Sequence, residues 1–379
     1  MSTFRHTEAQ VASYHADPRM NQSGLKIIAQ EGIQAFLRKK EEALREEEWY
    51  TEKEYFKIGK AVDFMLSHGD DEFQHCYHFS SSATTPSGAV LSITRKVFEW
   101  ALIRKEGQAN RIDGFDQYRD LIYEACNTVE TMRDGKLETG YYMKRAAPIW
   151  EEDTRWLTVA KNGGTDYFGE LIENYGKVIL SEEEGDIIVK VVNSFKSHPH
   201  TSRFFLEEEG VDIVYQMPLF FDYEGVACKI LPDMMRIDHN ARKVYPFDFK
   251  THGGDILSFI LALRARRYDI QGSFYNYGIW KNLATISNLI GKDIEGYRMA
   301  SFAFLCESTK YPGTPMVFVM TDDMMTQGVS GDGKKLMGWN QAMARYNLWR
   351  RHEFSLENRF AETNGVVFMD QFFEYTVNI

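Results

Sequence analysis

The sequence predicts an α/β (α+β) chain. A mostly helical region, residues 1–200, precedes a core with a central mixed sheet flanked by helices, residues 201–379. Three observations predict it. Apolar residues recur at helical spacing through the first two hundred positions. Near residue 200 the pattern turns to alternating or continuous runs of β-branched and aromatic residues. Helical segments then separate the later strand candidates, the pattern of a sheet covered by helices.

Each element has a local reason. Ser23 can cap a helix from Gly24 through Leu37, with Leu25, Ile28, Ile33 and Phe36 on one stripe. Glu41 to Glu54 is an acidic run that suits a solvated helix face. A helix fits Tyr55 to Ser67, and Ser80 to Gly88 has loop chemistry. An amphipathic stretch follows from Val90 to Lys105. Ser181 with Glu184 is a capping box for a helix through Phe195. The strand candidates are then Val211–Tyr215, Met217–Tyr223, Val226–Met234 and Lys243–Lys250. The last three should form an antiparallel meander. Helices fit Asp255–Arg267 and Ile270–Leu283, strands fit Met299–Cys306 and Met316–Thr321, and a helix fits Asn340–Arg351.

Composition narrows the function. The chain has 379 residues, 44% of them hydrophobic, which is enough to bury a core without staples. Cys76, Cys126, Cys228 and Cys306 form no CxxC pair, so neither a disulfide framework nor a zinc ribbon is expected. No apolar run approaches the ~20 residues of a membrane helix, and Met1–Gln10 has no signal-type apolar segment. A cytoplasmic protein with no membrane partner is the expectation. The net charge of −11 speaks against general adhesion to nucleic acid. Yet Val226–Gln271 holds eight bases against five acids, so the charge is unevenly spread.

The stretch that carries chemistry is Pro232-Asp233 followed 15 residues later by Asp248-Phe249-Lys250. Side chains alternate along a strand, so Asp248 and Lys250 share a face that Phe249 avoids. With Asp233 opposite Asp248, two carboxylates and an ammonium converge. Adjacent carboxylates repel unless a cation lies between them, and an oxygen donor set suits Mg²⁺ or Mn²⁺. Such a site polarises a phosphoryl oxygen and activates water. Asp248 and Lys250 lie among Val244, Tyr245, Phe247 and Phe249, where charge is costly without a purpose. Downstream, Gln271 and Tyr275 are spaced i, i+4 on one helix face.

Pro232-Asp233, Asp248-Phe249-Lys250-Thr251 and Tyr268-Asp269-Ile270-Gln271 through Tyr275 resemble the PD-(D/E)XK nuclease superfamily. The phage and prophage branch related to exodeoxyribonuclease VIII, and more distantly to lambda exonuclease and the RecB nuclease domain, is the nearest in pattern. Asn21-Gln22-Ser23-Gly24-Leu25-Lys26 is similar to that branch's S-x-S-x-L helix start, and Gly59 to Asp63 to its G-x-A-x-H helix. The resemblance spans roughly residues 20–70 and 200–350. It implies a restriction-endonuclease-like core and a Mg²⁺-dependent (or Mn²⁺-dependent) DNA exonuclease acting on duplex ends in recombination or DNA degradation. A structure-specific endonuclease and an inactive DNA-binding or inhibitory relative are the alternatives.

The resemblance also implies roles. Asp233 and Asp248, with the Phe249 carbonyl, would ligate the metal. Lys250 would position or activate water, and Gln271 and Tyr275 would support the site or touch the DNA backbone. Asp63 stands where relatives often carry His, and reads either as a third carboxylate ligand or as a helix-surface residue. Gln216 stands where some relatives carry Glu. Lys229, Arg264, Arg266 and Arg267 are candidate phosphate contacts; the three arginines equally suit a helix C-terminus. No iron–sulfur cluster is expected, because only Cys306 follows Cys228. A single-strand annealing protein and a homo-oligomer are implied partners, in host cytoplasm if the chain is phage-encoded. Two further features stand outside this pattern. His75-Cys76-Tyr77-His78 has metal-like residues without a second ligand pair. Tyr141, Tyr142, Lys144, Arg145 and Trp150 mix aromatics with bases, as either a stacking groove or core packing would.

Overall fold

The computed structural model describes residues 2–45, 54–81, 86, 88–133, 136–140 and 155–351. Positions 46–53 of the acidic run, 82–85 and 87 of the serine-rich loop, and Tyr141 to Trp150 lie outside them. By contacts the chain forms two units, Met1–Gly69 with Val189–Ile379, and Asp70–Ile188. No helix among the described residues is long and apolar enough to cross a membrane.

In chain order the first unit opens with β1 (Ser2–Arg5) and helices α1 (Glu8–Ala16), α2 (Gln22–Glu31), α3 (Ile33–Arg45) and α4 (Glu54–His68). The second unit holds α5 (Asp70–Cys76), β2 (Tyr77–Phe79), α6 (Gly88–Arg104), α7 (Arg119–Thr128), β3 (Glu130–Arg133), β4 (Lys136–Thr139), α8 (Arg155–Val159), α9 (Thr165–Glu173) and β5 (Val178–Leu180). Its core gathers Ile93, Val97, Ile122 and Phe168 from α6, α7 and α9. Helix α10 (Glu182–Ser197) starts on the expected capping box. The Ser181 amide donates to Glu184 Oε2 at 2.7 Å, and the Glu184 amide donates to Ser181 Oγ at 3.2 Å.

The first unit then continues with β6 (Val211–Tyr215), β7 (Leu219–Tyr223), β8 (Val226–Ile230), β9 (Met234–Asp238), β10 (Lys243–His252), α11 (Phe259–Ala265), α12 (Tyr268–Lys281), α13 (Leu283–Ile290), β11 (Arg298–Met299), β12 (Ala303–Ser308), β13 (Met316–Val319), α14 (Asp322–Ser330) and α15 (Trp339–Arg351). The main sheet runs β1-β6-β9-β10-β12-β13, with β11 beside β10. It is mixed. β6, β9 and β10 are successively antiparallel, β10 and β12 are parallel, and β13 returns antiparallel. A parallel pair needs a crossover, and α11 to α13 supply it. The expected helix-flanked mixed sheet and helical N-terminal region are both present.

Local chemistry moved several boundaries. The helix expected over 24–37 breaks at Gly32, whose φ of 90° lies in the left-handed region that glycine adopts without strain. Its first half is capped by Asn21, not Ser23, through a 2.9 Å bond from the Gly24 amide. The expected three-strand meander does not form. Pro232 lacks an amide hydrogen, so the run Val226–Met234 splits between two sheets. β8 pairs with β7 as a separate hairpin, and β9 joins the main sheet between β6 and β10. The helix expected over 255–267 is a short 3₁₀ turn and then α11, with Asp255 capping through the Leu257 amide.

Helix α12 lies against this core by virtue of small residues. A Cβ on Gly272 would meet Met320 Sδ at 2.2 Å, and one on Gly278 would meet Ile230 Cδ1 at 2.5 Å. A larger residue at either position would have to displace these side chains. The helix is buried from Tyr268 through Tyr275, and its buried polar side chains bond protein groups: Asp269 meets Arg267, and Gln271 meets Asp248 and Lys26.

Candidate active site

The β9–β10 ladder ends at the pair Met234 and Phe247. One step further along the same register lies Asp233 opposite Asp248. The Asp233 carboxylate accepts a 2.7 Å hydrogen bond from the Phe249 amide. Alternation along β10 then separates two environments. Phe247 and Phe249 turn toward Phe204 and Phe205, with ring centroids 4.7 Å and 5.8 Å apart. Asp248 and Lys250 turn the other way, toward α12.

There Gln271 Nε2 donates to Asp248 Oδ1 at 2.6 Å. The Lys250 ammonium forms an ion pair with Asp248 Oδ2 and donates to the Phe249 carbonyl at 3.3 Å. It also lies 5.5 Å from the Tyr268 ring centroid. Burial alone would lower the Lys250 pKa, but the charges of Asp248 and Asp233 overcome this and hold it above the usual ammonium range. Tyr275, one turn beyond Gln271, is buried at 4% exposure. Burial, with help from Tyr14, Asp248 and Asp233, raises its hydroxyl well above the ordinary range. Both Gln271 and Tyr275 are thus buried, a placement that suits supporting the cluster more than touching a DNA backbone.

Asp63 comes from α4. It is within electrostatic reach of Asp248 and Lys250, and its own bonds run to Ser67 Oγ at 3.3 Å and Gln216 Nε2 at 2.8 Å. Burial, then the charge of Asp248, pushes its carboxyl up to about 7, while Lys250, Ser67 and Gln216 pull it back. Asp233 is raised well above the usual range by burial, then by Asp248 and Asp63. Burial and neighbouring carboxylate charge thus hold Asp63 and Asp233 back from ionising, a state that an added positive charge relieves.

Two residues joined this cluster without being counted on. Gln216, a departure from the family pattern in the sequence, has φ of 44° and is buried; its backbone amide donates to the Asp233 carbonyl at 3.1 Å. Positive φ in a non-glycine residue is a strained conformation that clusters at functional sites. Lys26, on α2, donates to Gln271 Oε1 at 2.9 Å and lies 4.7 Å from the Tyr268 centroid. Burial, then Lys250, lowers its pKa to about 7. The sequence signal available for Lys26 was its place in the Asn21–Lys26 segment; nothing local pointed to its partner.

Two of the four expected phosphate contacts are committed elsewhere. Lys229 is 3% exposed, and its ammonium donates to the carbonyls of Tyr14, His15 and Asp17 at the end of α1. That is a helix C-terminus satisfied by a cation. Arg267 is also buried. It forks onto the Asp269 carboxylate, with Nη2 to Oδ2 at 2.9 Å, and donates to the Met337 carbonyl at 2.7 Å. Arg264 and Arg266 are exposed. His75 and His78 do not share a ligand set: His75 bonds the Asp71 carbonyl and His78 bonds Glu170.

The donor chemistry suits a hard cation. Asp233, Asp248, Asp63 and the Phe249 carbonyl are all oxygen donors, as Mg²⁺ and Mn²⁺ prefer. Asp248 Oδ2 is buried, and its partner among the described residues is the Lys250 ammonium. A positive group stands in its place of need, because the Lys250 ammonium touches both Asp248 Oδ2 and the Phe249 carbonyl. Among the described residues, no three His, Cys, Asp or Glu side chains already close on a single point.

No known protein family matches the chain, and no curated protein matches it. Among solved structures, a crystal structure from Eubacterium rectale of a protein provisionally named an exonuclease is similar at TM-score 0.37 and 12% identity, over 91% of this chain and 87% of that one. A likeness that slight assigns neither fold nor activity.

Proposed function

We propose that the protein is a divalent-metal-dependent deoxyribonuclease that hydrolyses DNA phosphodiester bonds. Within that reading it is an exonuclease of the exodeoxyribonuclease VIII-like phage branch, acting on duplex ends in recombination or DNA degradation. The observation that carries it is the meeting of Asp233 and Asp248 with the Lys250 ammonium across one strand pair.

Asp233, Asp248 and the Phe249 carbonyl, with Asp63, would hold Mg²⁺ or Mn²⁺, which supplies Lewis-acid polarisation of a phosphoryl oxygen and acidifies bound water. The chain's own residues do the rest. Lys250 would donate hydrogen bonds to the attacking water or a non-bridging phosphoryl oxygen, where negative charge develops. Gln271 keeps Asp248 oriented from behind. Phe247 and Phe249 anchor the opposite face of β10, so the strand does not shift as charge moves. Arg264 and Arg266 neutralise backbone phosphates without reading sequence.

Linear and circular duplex DNA incubated with Mg²⁺, Mn²⁺ or EDTA test the reading. Mononucleotide release from linear DNA alone, abolished by EDTA, is expected. Cleaved circles replace the exonuclease with an endonuclease of the same chemistry. DNA binding without cleavage in either metal overturns the catalytic reading.

A further inference from the structure

We propose that Lys26 is a positioning residue of this site: it fixes which way the Gln271 amide points and, through that amide, holds the Asp248 carboxylate. The inference rests on reading Asp248 as a metal ligand.

The argument is one of donors and acceptors. A lysine ammonium carries three donors and no acceptor. The Gln271 amide oxygen lies 2.9 Å from Lys26 Nζ, an acceptor facing that donor. The Gln271 amide nitrogen donates to Asp248 Oδ1 at 2.6 Å, so each end of the amide faces a group of the complementary kind. Rotating the amide by half a turn would set NH₂ against an ammonium and oxygen against a carboxylate, two repulsive contacts replacing two attractive ones. Gln271 is buried at 5% exposure, so both ends of its amide depend on protein partners. Without Lys26 the amide oxygen loses this donor, and one of the two constraints on its orientation disappears.

Geometry also links the two lysines. Lys26 Nζ and Lys250 Nζ lie 4.7 Å and 5.5 Å from the same Tyr268 ring centroid. The aromatic face attracts both cations while their like charges keep them apart. The charge of Lys250 is also felt at Lys26. Lys26 reaches the site from α2, 245 residues before Gln271.

The test uses the full chain and a double-mutant cycle. Mn²⁺ affinity is measured by titration calorimetry for wild type, Lys26→Met, Gln271→Leu and the double variant, with thermal melting as the folding control. Loss of a residue that orients a metal ligand weakens binding about 10–100-fold. We expect that loss for Lys26→Met, and a double variant that binds no more weakly than Gln271→Leu. Cleavage assays should show kcat reduced with KM for DNA within about twofold, the pattern of a group that acts on the reacting centre and not on uniform substrate binding. Multiplying effects in the double variant, a rise in KM alone, or a lowered melting temperature with unchanged Mn²⁺ affinity would each overturn the proposal. Wild type that binds Mn²⁺ but cuts no DNA removes the nuclease reading and leaves the affinity cycle to decide Lys26. Wild type that binds no Mn²⁺ removes both.

Discussion

Asp63 on α4 accepts a 2.8 Å hydrogen bond from the side-chain amide of Gln216, 153 residues further along the chain. The amide acts here as a donor to the carboxylate. Burial drives the Asp63 carboxyl up to about 7, and this bond is one of the forces against that drift. Gln216→Leu should lower DNA cleavage about 10–100-fold, the usual effect of removing a ligand's supporting bond. Initial rates across a Mn²⁺ titration check this; a rate equal to wild type would show that Asp63 needs no donor.

Lys250→Met should reduce kcat by at least about 100-fold, the scale seen when a donor to developing charge is lost. Binding of linear duplex in Ca²⁺ should be nearly unchanged. The variant also removes the ammonium that faces Asp248, so its melting temperature should fall most in EDTA and recover in Mg²⁺. A variant that cuts at the wild-type rate would remove Lys250 from the chemistry.

The four cations expected at phosphates should separate into two classes. Arg264→Ala and Arg266→Ala should leave melting within about 0.5 kcal/mol, as surface changes do. Each should reduce the slope of log affinity against log salt by about 1. Arg267→Ala breaks a buried fork with Asp269 and should cost about 3–5 kcal/mol of stability. Lys229→Ala strips three carbonyls of their donor and should likewise destabilise. Equal salt slopes for all four variants would contradict this division.

Asp212 gives a pH signature away from the candidate site. Its buried carboxylate accepts from the Ser2 amide at 2.8 Å, His239 Nε2 at 2.8 Å and Lys292 Nζ at 2.7 Å. Burial would raise its pKa, but Lys292 and His239 outweigh that and hold it below the usual carboxylate range. The unfolded chain then binds the proton more readily than the folded one. The stabilisation is present above the unfolded pKa, about 4, and is lost as pH falls through the folded value. Asp212→Asn should therefore lose about 1–3 kcal/mol at pH 7, with the gap narrowing toward pH 3. A gap independent of pH, followed by thermal melting, would refute the assignment.

The strand chemistry was legible because its causes are local. Asp248 and Lys250 share a face through a two-residue period, and Pro232 marks where a strand must stop. Gln271 and Tyr275 share a helix face for the same kind of reason. The meander was misread because Pro232 splits its middle run between two sheets, and pairing partners are not local. Lys229 and Arg267 were misread because each sits in a basic stretch while its partner comes from a distant segment. Tyr14 lies 215 residues from Lys229, and Met337 lies 70 from Arg267.

From the sequence alone came the helix-flanked mixed sheet, the pairing of Asp233 with Asp248, and the placing of Lys250 on their face. Periodicity and backbone chemistry act between near neighbours, so adjacent residues suffice to reveal them. Only the tertiary structure decided what each buried polar group bonds to. Lys26 meets Gln271, Gln216 meets Asp63, and Lys229 closes α1, because a buried donor or acceptor must find a partner wherever packing brings one. That choice belongs to the packed chain as a whole, and no stretch of it carries the choice alone.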